Sequence, residues 1–281
     1  MKPNFFLQFV IINRLNYETV IRMGGARVTV LPHPSQRQRN NRTQVNMMIR
    51  ASFSRRLAGF RSAGLAFILF SFLNIAIFFL ISLWPGLLDW LWLSADHPWG
   101  IVTSNFVQAE LPHLLGNLEG FTLATGFFVI VCSVLKVKDR RRWSRVFLWL
   151  VFLSGIVGSA IEYPVLVING DFSWGSSGIV YGALGVLLAA CLRSLPTQMR
   201  ALAKEHRRRA RKRRKWGLFR FDRKSLRTFP SLMSLTILIS FLLLIFTDPW
   251  DFLSVGPGVD VLAHGLGFLL GFLPATVLFR S

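Results

Sequence analysis

Six long apolar runs, at about 63–84, 113–135, 146–168, 177–192, 231–246 and 259–279, take up most of this chain from residue 61 onward. A run of about 20 apolar residues matches the ~30 Å hydrocarbon core of a bilayer when it is helical. Lipid offers no partner for a bare N–H or C=O, so such a run must satisfy its own backbone, and a helix does this within one segment. The remaining composition agrees: 52% of residues are hydrophobic, only 16% are charged, and mean hydropathy is +0.46. That leaves too little polar surface to close around a water-soluble core. The expected fold is an all-α polytopic membrane protein, a bundle of six transmembrane helices over 61–281.

The net charge of +20 excludes less than its arrangement does. No Lys or Arg occurs in 62–135, 146–192 or 228–279, and the cations collect in the first 61 residues, in 136–145, in 193–227 and at Arg280. Basic blocks between apolar runs mark cytoplasmic loops, so both chain ends are expected inside and 87–112, 169–176 and 248–258 outside. This is the pattern of an integral, multi-pass protein of a cell membrane, with anionic lipid as the partner of the inner loops and no nucleic acid. Residues 1–60 carry nine arginines between Arg14 and Arg56 against one acid, Glu18, and read as a flexible basic tail. Cys132 and Cys191 lie within apolar runs and read as small apolar side chains. The five histidines are scattered, without a metal-binding spacing, so neither metal nor cofactor is expected.

Polar residues inside spans are costly and ask for a reason. Ser177 precedes Arg193 by sixteen residues, and His264 precedes Arg280 by sixteen. At about 1.5 Å per residue both stand about 24 Å from the inner boundary, level with each other and just below the outer surface. Gly178, Gly182 and Gly185 on one helix and Gly267 and Gly271 beside His264 on the other allow close approach. Gly175 and Gly178 leave Ser177 uncrowded at the head of its helix. His113 and Asn117, four apart and on one face of the second span, can aim two donors at a developing oxyanion. Glu119 points away from Asn117, Glu162 lies near the outer end of the third span, and Asp260 reads as a helix cap.

Three ordered motifs, His113-x-x-x-Asn117, Gly175-x-Ser177-Gly178 with Tyr181, and Ala263-His264-x-x-Gly267-x-x-x-Gly271, make the chain resemble the rhomboid family of intramembrane serine proteases. Trp99, Thr103 and Phe106 resemble a further segment of that family's first outer loop. Gly100 departs from the arginine usual there, and Gln108 from a histidine carried by many members. The resemblance implies a serine endopeptidase that cuts transmembrane segments of other membrane proteins near the outer face. Ser177 would be the nucleophile and His264 the base, with His113 and Asn117 holding the oxyanion and Tyr181 stacked on His264. The fifth span and the 248–258 loop would form the side through which a substrate helix enters. The alternative is a rhomboid-like protein that binds membrane proteins without cleaving them.

Overall fold

The computed structural model describes residues 19–23, 26–30, 58–213, 229–252 and 261–279. The chain divides into two compact units, 1–57 and 58–281. In the first, β1 (Thr19–Met23) pairs antiparallel with β2 (Ala26–Val30), Thr19 opposite Val30 and Met23 opposite Ala26. The stretch read as a flexible tail therefore contains a hairpin. Thr, Val and Ile dominate both strands, and their branched side chains favour extended backbone locally despite the surrounding arginines.

The second unit is helical, and six of its helices are long and apolar enough to cross a membrane. They are α1 (Arg61–Leu83), α4 (Leu111–Cys132), α5 (Val137–Asn169), α6 (Ser177–Arg213), α7 (Phe229–Thr247) and α9 (Val261–Leu278). Short helices α2 (Leu87–Leu91), α3 (Gly100–Thr103) and α8 (Pro249–Phe252) lie between them. Two helices outrun the spans expected of them. α5 begins inside the basic connection, and α6 continues twenty residues beyond Arg193. Lys and Arg are good helix formers, so the change from apolar to basic does not end the helix. α5 stops where Gly170 takes a left-handed conformation, φ 69°.

Packing is organised around α6. Of its most apolar 18-residue window 78% is buried, against at most 39% in any other span, so α6 is the central helix. Ile179, Ala183, Val186, Leu187 and Ala190 put it in the middle of the core. By contrast α1 turns Ile68 and Phe72 outward, and α7 turns Leu243 and Phe246 outward, as lipid-facing helices do. Lipid gives apolar side chains no reason to prefer another helix, so close contact depends on small residues. α6 and α9 meet in that way. A Cβ on Gly267 would lie 3.0 Å from the Gly178 Cα, and one on Gly271 would lie 2.9 Å from the Gly182 Cα. The two pairs ascend together, so the helices run parallel with their backbones in contact.

The 87–112 segment, expected outside, is more ordered than an interfacial loop needs to be. Leu93 and Ser173 exchange backbone hydrogen bonds of 2.9 Å in both directions, joining this segment to the α5–α6 connection. The Trp99 indole donates to the Trp90 carbonyl and the Thr103 hydroxyl to the Leu91 carbonyl, both at 2.7 Å. Gly100 sits beneath this turn. A Cβ there would come within 2.5 Å of the Leu93 Cα and 2.7 Å of the Trp92 carbonyl carbon, so no side chain fits while the 92–93 backbone stays in place.

Candidate functional site

Ser177 is the first residue of α6 and half-buried. The turn that delivers it depends on Gly175, whose φ of +129° lies in the region that favours glycine. Gly175 N–H donates to the Ser104 carbonyl at 3.0 Å, fixing the turn against the 87–112 segment. The Ser176 carbonyl then accepts from the N–H groups of Ile179 and Val180, both at 3.1 Å, and opens the helix. A Cβ at Gly175 would lie 3.3 Å from His113 Cε1 and 3.9 Å from Ser177 Oγ. The imidazole and the hydroxyl thus border the same small space, which the missing side chain leaves open. The His113 ring leans on Trp174, centroids 5.5 Å apart.

His264 lies in the first turn of α9 and is buried, one turn before Gly267, which rests on Gly178. Tyr181 stacks on it, with ring centroids 4.2 Å apart and planes 17° from parallel. The Tyr181 hydroxyl donates to the Phe252 carbonyl at 2.7 Å, and its ring meets the Phe252 ring edge-on. Tyr181 thereby holds both the imidazole plane and the end of α8. Among the described residues Ser177 Oγ makes no hydrogen bond, to His264 or to any other group. The glycine contacts account for part of this. They match 178 with 267 and 182 with 271, which sets His264 level with about residue 175, two residues or roughly 3 Å from the level suggested by the arginine spacing. Arg193 is a poor depth marker because α6 runs through it, and its Nε donates to the Thr276 carbonyl at 2.6 Å, one of the last carbonyls of α9.

Asn117 is buried and takes part in a polar network with Gln108, noted in the sequence only as a departure from a histidine, and with Asn74 and Ser176, which the sequence reading passed over. Its Nδ2 donates to Gln108 Oε1 at 3.3 Å. Gln108 is fully buried, and its Nε2 donates to Ser176 Oγ at 2.7 Å and to Asn74 Oδ1 at 3.1 Å. Asn74 in turn donates to the Phe70 carbonyl at 2.9 Å. Gln108 thus joins α1, α4 and the residue before Ser177. Because its carbonyl faces Asn117, it holds that amide with the NH₂ side engaged. The signal for this network was a lone Asn in the first apolar run and a Gln just before the second.

A small cavity opens beside Ser177, lined among others by Ser104, Asn105, Ser159, Glu162, Trp174 and Ala263. Asn105 Nδ2 donates to Ser159 Oγ at 2.9 Å, so its polar wall is preorganised. Glu162, 3% exposed, faces this cavity, whereas Glu119 is exposed on α4. Gly155 makes room for Asn105 and Ile179, and Gly182 for Ser154. Asp260, most of the 248–258 loop and the 214–227 part of the basic tract lie outside the described residues. Comparison with protein-family models, curated proteins and solved structures returned no match for this chain.

Proposed function

We propose that this chain is a rhomboid-like intramembrane serine endopeptidase, with Ser177 as nucleophile and His264 as general base. The observation that carries the reading is the Tyr181–His264 stack beside the Gly178–Gly267 backbone contact. It joins an oriented imidazole to the helix that begins at Ser177. In this reading His264 takes the Ser177 proton as Oγ attacks a peptide carbonyl, the amine leaves with that proton, and water releases the acyl group. His113, Asn117 and the uncompensated N–H groups at the head of α6 face the developing oxyanion. Serine and imidazole come within bonding distance when the substrate closes the site, since catalytic hydrogen bonds in empty sites are often long. The substrates are transmembrane segments of other membrane proteins, cut near the outer face, with both chain ends of the enzyme in the cytoplasm.

A Ser177 hydroxyl without a hydrogen bond among the described residues favours a second reading, a rhomboid-like protein that binds membrane proteins and does not cleave them. A single-span reporter co-reconstituted with the purified protein separates the two. Cleavage near the outer boundary is expected for the wild type and none above background for Ser177→Ala or His264→Ala, each still folded. Unchanged turnover in Ser177→Ala would remove the nucleophile, and reporter capture without cleavage by the wild type would leave the binding reading.

A further inference from the structure

A second site stands at the opposite end of the bundle, where the start of α1 crosses the basic start of α5. The crossing is fixed. Ala63 N–H donates to Ser144 Oγ at 2.7 Å, and a Cβ on Gly59 would lie 3.3 Å from the Arg140 Cβ. Arg140 is engaged locally, its Nε donating to the Leu135 carbonyl at 2.9 Å and its guanidinium lying 5.7 Å from the Phe60 ring centre. The other cations are arranged differently. Arg61, Arg141 and Arg145 line one open pocket together with Ala58, Gly59 and Ser62, and no carboxylate is among its lining residues. Three guanidinium groups around one space repel one another unless an anion sits between them. Phe60 provides no side-chain cap for α1, so the positive end of that helix adds to the same field.

The depth of the pocket says which anion fits. Arg61 is the last charge before the α1 run, and no charge follows Arg145 on α5 until Glu162. The pocket is therefore at the boundary where the lipid phosphates lie. Directly along the same stripe from Arg145, in steps of four, come Trp149 and Leu153, exposed by 66% and 47%. On α1 the exposed residues following Arg61 include Leu65, Ile68 and Phe72, which lie along one stripe. A cationic pocket that continues into exposed apolar stripes on both of its helices suits a molecule with a phosphate at one end and acyl chains at the other. We propose that Arg61, Arg141 and Arg145 form a headgroup site for an anionic glycerophospholipid, with its chains lying along α1 and α5. A zwitterionic lipid would bring its own cation into a pocket that has no acid among its described lining residues.

The site is independent of the proteolytic reading, and its test does not use cleavage. Full-length protein, stripped of lipid in detergent, is given phosphatidylglycerol, phosphatidylcholine or inorganic phosphate. Retained lipid is counted by native mass spectrometry, and thermal unfolding is followed in parallel. Wild type is expected to retain phosphatidylglycerol and to unfold at a higher temperature with it, but not with the other two. Arg141→Gln/Arg145→Gln should weaken retention at least about tenfold, as the loss of charge-assisted hydrogen bonds implies. Arg200→Gln/Arg207→Gln, which removes two charges of the inner basic block outside the pocket, should weaken it far less. Arg61→Gln supplies the same comparison should the double variant not fold. Equal retention in the pocket variants, an equal response to phosphatidylcholine, or a full shift with inorganic phosphate would each overturn the proposal.

Discussion

Gln108 shows how much a single departure from an expected motif can be worth. A histidine could not reproduce its three contacts, since two donors and one acceptor on a planar amide are used at once by Ser176, Asn74 and Asn117. Gln108→Leu would leave three buried polar groups short of a partner. Each such group costs about 1–3 kcal/mol. Gln108→Leu is therefore expected to unfold at a clearly lower temperature than wild type and to turn over reporter more slowly. Asn117→Ala removes one donor and should lower turnover about ten- to a thousand-fold with a smaller loss of stability. If Gln108→Leu unfolds like wild type, the network does not hold the site. Gly100 is a departure of the other kind. It is required by the Trp92–Leu93 backbone above it, so an arginine there would have to displace that turn.

Helices α6 and α9 carry the geometry on which the candidate site depends. Their glycines were legible in the sequence as small positions at helical spacing, and so was the pairing of the two helices. The register was not, because it is set by which backbone atoms touch, and no side-chain pattern encodes that. Charge boundaries marked out six apolar segments but missed the helix ends at Val137 and Arg213, since basic residues continue a helix readily. Gly271→Ala places a methyl within 2.9 Å of the Gly182 Cα, with backbone on the far side that cannot move away. It is expected to lower the unfolding temperature and to abolish turnover. Gly265→Ala, on the same helix with nothing within 4 Å of the added methyl, should leave both unchanged. Equal behaviour of the two variants would mean that the α6–α9 contact does not position His264.

Taken whole, the second unit is a central helix surrounded by five spans that face lipid on their outer sides. Its polar chemistry is divided between two levels. At one end a hydroxyl, two imidazoles and a buried amide network surround the head of α6, and at the other three arginines line an open pocket. The number of spans and the cation-free segments were plain in the sequence because lipid imposes a length and a polarity on every segment. The Tyr181 bond to Phe252 and the cavity with Glu162 were not, because they arise where three or more elements meet. The measurement that tests the proteolytic account most directly is the mass of the Ser177 peptide after reaction of the reconstituted, folded protein with a fluorophosphonate. The account predicts a covalent adduct on Ser177 that is lost in His264→Ala. An unmodified Ser177, or an adduct that forms equally well without His264, would contradict it.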